Sequence, residues 1–275
     1  MVIKQHAYCG PLKAVILDWA GTTVDYGCMA PAAVFIETFK QRGIDVSMTQ
    51  ARAPMGMFKK DHIRAITQME PVAAQWQTQY GRPCSEEDVE AMYHDFLPLQ
   101  LAVIARHADV IPGTIDALAD FRQRGLKIGS TTGYTRAIMD RLAPLAAENG
   151  YVSDAIVCAD EVPAGRPQPW MMFQNAQQLG VYPMASIVKI GDTVPDIEEG
   201  LNAGAWTIGV IKTGNEIGLT QSEVALVRAS VLREQLAKGY ARLLQAGAHY
   251  VADSLADIGS ILDDIQTCLA RGEQP

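Results

Sequence analysis

Residues 15–27 read VILDWAGTTVDYG. An apolar run climbs to Asp18 and breaks at Gly21-Thr22-Thr23. Unbroken Val/Ile/Leu bounded by glycine is the signature of a strand buried on both faces, as in a parallel sheet. Such a strand delivers a single carboxylate to the rim of the sheet. Two places on stands Ala20, where a phosphate-transferring site would carry a second carboxylate. The stretch therefore keeps a nucleophile and lacks the acid that would serve a leaving alkoxide.

Further short apolar runs follow: Leu126–Ser130, Ala155–Cys158, Ser186–Ile190, Trp206–Val210 and a weaker Ala248–Val251. Helix patterns with readable ends lie between them. Thr114 reads as the N-cap of IDALADFRQR with Gly125 as its stop, Pro167 and Pro169 open WMMFQNAQQL before Gly180, and Pro195 opens DIEEGLNA before Gly204. Strand–helix alternation of this kind predicts an α/β fold, a doubly wound, Rossmann-like parallel sheet. The alternation fails between about residues 30 and 105, where only helix patterns occur: APAAVFIETFKQRG, APMGMFKKDHIRAITQM and SEEDVEAMYHDFLPLQLAVIARHA. The expected organisation is a core domain of residues 1–24 and 106–275 and an all-helical cap domain of residues 25–105, inserted over the C-terminal edge of the sheet where open α/β sheets bind ligands.

The chain has 275 residues, 48% hydrophobic and 20% charged, with a formal charge of −8. That composition is ample for a core and argues against a nucleic-acid surface, since no stripe of Lys and Arg accompanies it. Its five cysteines are scattered and form no CxxC pair, so reduced thiols in a cytoplasmic protein are expected rather than a disulfide framework or zinc site. MVIKQHAYCG at the start has no apolar signal-like region, and no run of about 18 apolar residues occurs; neither secretion nor membrane insertion is expected.

Four strand ends carry related polar residues: Asp18; Ser130-Thr131-Thr132-Gly133; Arg166 within VPAGRPQP; and Asp192 and Asp196 within GDTVPD. In a parallel sheet these ends converge. Three carboxylates, a hydroxyl and a guanidinium suit a hard cation such as Mg²⁺ together with a phosphoryl group. Read singly, Asp192 and Asp196 are also the acids that favour a helix N-terminus.

The ordered set DxxGTT, S/T-T-G, a basic residue before Pro-x-Pro, and GDTxxD resembles the haloacid dehalogenase-like superfamily over the whole chain. Within it, DWAGTTVDYG, MGMFKKDHIRA, STTGYTR, VPAGRPQPW and GDTVPDIEEG resemble the phosphonatase (phosphonoacetaldehyde hydrolase) family. The resemblance implies Asp18 as nucleophile, Mg²⁺ held by Asp18, the Ala20 carbonyl and Asp192 with Asp196 in support, and Thr132, Gly133 and Arg166 at the phosphonate. It also implies a homodimer.

The insert explains Ala20. Placed on a helix, residues 55–69 put Met55, Lys59, His62, Ile63, Ile66 and Met69 in one sector and Lys60, Arg64, Thr67, Gln68 and Asp61 on the other. Lys59 thus falls on an apolar stripe, either snorkelling to water or held as a desolvated amine. A free lysine is neutral about once in 2,500 at pH 7; burial raises that fraction and makes the amine a Schiff-base nucleophile. Breaking a carbon–phosphorus bond expels a carbanion, which needs an electron sink rather than an acid, and an iminium supplies one. The resemblance gives Lys59 the same role and places Met55, His62, Cys28 and Tyr134 near it, His62 for proton transfer and the others as pocket shape. The expected activity is hydrolysis of a small aldehyde phosphonate. The alternative is an ordinary Mg²⁺-dependent phosphatase or phosphomutase of the same fold, against which Ala20 argues.

Overall fold

A computed structural model describes residues 7–275; residues 1–6, which the sequence reading assigned to the core domain, lie outside the described residues. Six strands, β1 (Ala14–Leu17), β2 (Lys127–Thr132), β3 (Ala155–Cys158), β4 (Ile187–Gly191), β5 (Trp206–Val210) and β6 (Tyr250–Ala252), form one parallel sheet in the order β3-β2-β1-β4-β5-β6. The strand order reverses at β1, so the crevice at its C-terminal end is flanked by β2 on one side and β4 on the other.

The alternation of β1 shows why its sequence is apolar throughout. Val15 and Leu17 pack into a cluster with Leu118, Phe121, Ile138 and Leu262, whereas Ala14 and Ile16 pack into another with Met172, Leu179 and Ile187. Both faces are covered by helices, so neither tolerates a polar residue. Trp19, fully buried against Tyr151 with ring centroids 4.7 Å apart, anchors the chain one residue past Asp18.

Of the six α-helices between β1 and β2, the first five are α1 (Met29–Lys40), α2 (Met48–Arg52), α3 (Lys59–Thr67), α4 (Glu70–Tyr80) and α5 (Glu86–Val103). They share their own apolar cluster, including Phe35, Phe39, Ile63, Ile66, Trp76, Met92 and Phe96. Each such residue contributes about 1.5–3 kcal/mol on burial, enough to hold these helices against one another. The remaining helices are α6 (Thr114–Gln123), α7 (Arg136–Glu148), α8 (Trp170–Leu179), α9 (Val194–Ala203), α10 (Gln221–Leu226), α11 (Ala229–Gln245) and α12 (Gly259–Ala270).

Two sequence expectations are corrected. Thr114 is the first residue of α6 rather than its cap; Gly113, in a left-handed conformation, occupies the cap position. The helix carrying Lys59 begins at Lys59, not at residue 55. Pro54 and Gly56, the latter at φ +94°, turn the chain through residues 53–57 instead, which removes Met55 and Met57 from the helical wheel. Among the described residues no helix is long and apolar enough to cross a membrane.

Candidate active site

Asp18 leaves β1 with its amide bonded to the Ile190 carbonyl of β4 at 2.9 Å. That register brings it beside Asp192, which follows β4, and Asp196 in the first turn of α9. One oxygen from each of the three carboxylates can be chosen so that all lie within 4.8 Å of one another, and all three residues are buried. The donor set is oxygen only and fits a hard divalent cation.

The three are held differently. Asp192 accepts the Asn215 amide proton at 2.7 Å and the Thr22 hydroxyl at 3.4 Å but has no cationic partner among the described residues. Burial, then the charges of Asp18 and Asp196, push its pKa well above the carboxylate range. Asp196 caps α9 together with Thr193 and pairs through Oδ1 with Arg166 Nη1 at 2.9 Å and Lys189 Nζ at 2.7 Å. Burial raises its pKa, but these two cations outweigh burial and hold it low. It is thus both a helix cap and a member of the site. Asp18 is raised by burial and by Asp196, with Arg166 Nη1, 2.8 Å away, opposing.

Behind these carboxylates lies a network that the sequence reading did not single out. Glu199, one turn after Asp196 on α9, accepts from Arg166 Nε at 2.9 Å and from Thr131 Oγ1 at 2.9 Å. Lys189, inside β4, donates to Thr131 Oγ1 at 3.0 Å, and Arg166 Nη2 donates to the carbonyl and hydroxyl of Thr131 at 2.8 Å each. Lys189 and Glu199 are fully buried. A lysine inside the apolar run IVKIG was the available signal, since a buried charge requires a partner. In the absence of other ions, four carboxylates face two cations here, and one divalent cation would balance them.

On the other side of the cavity stands α3. Lys59 is its first residue and is 4% exposed. Its amine lies 4.9 Å from the ring centre of Tyr134 and 5.7 Å from that of Phe35, and among the described residues no carboxylate pairs with it. Burial lowers its pKa, against the opposing pull of Cys28 and Asp18. The N-terminus of a helix is also an unfavourable place for a cation.

His62 is fully buried and stacks on Phe35 with centroids 3.7 Å apart. Nε2 meets the Ala51 carbonyl at 2.9 Å; only a protonated nitrogen can make that bond, which leaves Nδ1 as the acceptor when the ring is neutral, and Nδ1 has no partner. Burial and then Lys59 push the His62 pKa well down. Cys28 and Tyr134 are both pushed well up, burial being the main cause, so both remain protonated.

Asp18, Ala20, Asp192, Thr132, Gly133, Tyr134, Cys28, Met55 and Lys59 all line one small cavity, with an empty volume of about 280 Å³. Arg166 and His62 do not line it. The turn before α3 closes it by backbone contact: a side chain at Gly133 would begin 2.6 Å from the Met57 carbonyl oxygen, so only glycine permits the approach.

A family model described as haloacid dehalogenase-like hydrolase matches residues 12–204, and a further model of the same group covers residues 163–258. The chain belongs to the haloacid dehalogenase-like hydrolases. A phosphonoacetaldehyde hydrolase-like protein of Syntrophobacter fumaroxidans is 51% identical over 99% of this chain and 98% of its own length. A phosphonoacetaldehyde hydrolase of Nitratidesulfovibrio vulgaris is 48% identical over 99% and 98%. The crystal structure of a phosphonoacetaldehyde hydrolase-like protein from Oleispira antarctica superposes with a TM-score of 0.97 at 39% identity, covering 100% of both chains. Within the haloacid dehalogenase-like hydrolases, the chain is therefore an enzyme of the phosphonoacetaldehyde hydrolase family.

Proposed function

We propose that this enzyme hydrolyses the carbon–phosphorus bond of phosphonoacetaldehyde to acetaldehyde and phosphate. The observation that carries the reading is a buried amine, without a carboxylate partner among the described residues, on the same small cavity as a strand-end aspartate that has alanine two residues later. The names of its relatives at 48–51% identity support the substrate.

Neutral Lys59 attacks the aldehyde carbon, and loss of water gives an iminium. His62, on the same helix and with Nδ1 unpaired, accepts and returns protons. An Asp18 oxygen attacks phosphorus; the carbon–phosphorus bond breaks and its electron pair enters the iminium as an enamine. Protonation at carbon and hydrolysis by water release acetaldehyde and restore Lys59. A second water cleaves the aspartyl phosphate, so one water is consumed overall. Thr132 and Gly133 bind phosphonate oxygens from β2, and Arg166 Nη1, between Asp18 and Asp196, supplies positive charge to the same group. Mg²⁺, on Asp18, Asp192 and the Ala20 carbonyl with Asp196 supporting, would neutralise charge on the phosphoryl oxygens.

On this reading, residues 1–24 and 106–275 form the core domain and residues 25–105 the cap, and the working form is a cytoplasmic homodimer. The deciding test is incubation with phosphonoacetaldehyde and borohydride, followed by peptide mapping. A reduced two-carbon adduct on Lys59, with loss of activity, is expected. Phosphate release from esters without any adduct would instead leave an ordinary phosphatase.

A further inference from the structure

Asp18 and Lys59, which face the cavity from the strand ends and from the helical insert, are only 6% and 4% exposed, so access to both widens when the insert separates from the strand ends. The insert joins the sheet through two segments that run side by side. The Asp25 amide donates to the Asp109 carbonyl at 3.2 Å, the Ile111 amide donates to the Thr23 carbonyl at 2.9 Å, and the Asp25 carboxylate meets His107 Nδ1 at 2.8 Å.

One side chain of the insert is bonded both to this linker and to a loop of the sheet domain. Arg52, at the end of α2, donates from Nη1 to the Gly27 carbonyl at 2.8 Å, the Cys28 carbonyl at 3.3 Å and Asn215 Oδ1 at 3.1 Å, and from Nη2 to the Gly218 carbonyl at 3.2 Å. Asn215 Nδ2 returns a bond to the Arg52 carbonyl at 3.3 Å. The backbone amide of the same Asn215 donates to Asp192 Oδ2 at 2.7 Å. Two groups of a single residue therefore hold Arg52 and Asp192. All these partners of Arg52 are neutral. A guanidinium held by neutral oxygens is released more easily than one paired with a carboxylate.

We propose that Arg52 is a positioning residue that fastens the helical insert to the 213–218 loop and so couples the seating of Lys59 to the orientation of Asp192. The roles of those two residues rest on the function proposed above; the fastening itself does not, and it is tested separately. Cys28 lies on the linker that Arg52 holds, and Cys158 ends β3 in the sheet; both are buried and free. Alkylation by N-ethylmaleimide, followed peptide by peptide, reads opening at Cys28 against global unfolding at Cys158 in the same molecule.

In Arg52→Ala, Cys28 alkylation should accelerate by about tenfold or more, with Cys158 unchanged. Asn215→Ala, which keeps the backbone amide, should reproduce this, and the double variant should add nothing further. Arg52→Lys, lacking the planar fork, should fall between wild type and Arg52→Ala. Borohydride trapping of phosphonoacetaldehyde on Lys59 should fall by about 10–100-fold in Arg52→Ala. An unchanged Cys28 rate, parallel acceleration of Cys28 and Cys158, or multiplying effects in the double variant would each overturn the proposal. If Arg52→Ala does not fold, Arg52→Lys and Asn215→Ala decide it. A wild-type enzyme that traps no aldehyde would refute the proposed function and leave the alkylation comparison standing.

Discussion

The two walls of the cavity handle charge in opposite ways. On the strand-end wall Asp18, Asp196 and Glu199 share Arg166 and Lys189 at 2.7–3.4 Å, and every one of these residues is buried. On the helical wall Lys59 stands alone against Tyr134 and Phe35. The first wall pairs its carboxylates with cations; the second withholds a carboxylate from its amine, whose pKa burial lowers. Phosphoryl transfer needs fixed charges, whereas amine addition to a carbonyl needs a lone pair. A second carboxylate at position 20 would bring the first regime into the second.

The comparison breaks most sharply at Lys59. Lys59→Met should lose carbon–phosphorus cleavage by ~10⁴-fold or more and all borohydride adduct, while Mg²⁺-dependent binding of inorganic phosphate, measured by calorimetry, persists. Retained cleavage in this variant would refute the division. Next in size is Glu199→Gln, which loosens Arg166 on the other wall. Turnover should fall about 10–100-fold while trapping on Lys59 stays near the wild-type level; equal loss of both would mean the walls are not separable.

A smaller effect is read in pH. Burial lowers the Lys59 pKa, so the trapping rate should be level above that pKa and fall with acidification below it, about tenfold per unit. Ala20→Asp places a carboxylate on the same cavity, so it should move this limb to higher pH and bring no gain in carbon–phosphorus cleavage. A limb that stays put would show that position 20 does not sense the amine.

The smallest effect concerns stability. With a lowered native pKa, Lys59 costs stability that grows as pH falls from the ordinary lysine range towards its own pKa and is constant below it. Lys59→Met should therefore raise the thermal midpoint by about 2–4 °C at neutral pH, measured by calorimetry.

The parts of this arrangement that are local in sequence were legible there. Ala155–Cys158 and Trp206–Val210 are strands with the bounds their apolar runs suggested. β2 runs on to Thr132, past the expected end at Ser130, because its hydroxyls are buried and satisfied: Ser130 donates to the Ala155 carbonyl and Thr131 to Glu199. Polarity there marks an internal bond, not exposure. The Lys59–His62–Ile63–Ile66 stripe is buried as its spacing required, but Thr67, expected on the polar side, is buried too, its hydroxyl satisfied by the Arg64 carbonyl. The start of the helix was misread because Pro54 and Gly56 override the periodicity. Least legible was the pairing of Lys189, Glu199 and Thr131. Those partners are far apart in the chain, and no spacing rule connects them.

The contact between Gly133 and the Met57 carbonyl also bears on how this enzyme can change. A pocket walled by side chains is enlarged by trimming them, one substitution at a time. Here part of the wall is main chain laid on main chain, which no point mutation shortens. Room for a longer aldehyde must come from side chains that line the cavity, among them Met55, Cys28 and Pro31 of the insert and its linker and Tyr134 after β2. Adaptation to new substrates is thus confined to a few positions, and one of them lies on the linker that Arg52 holds.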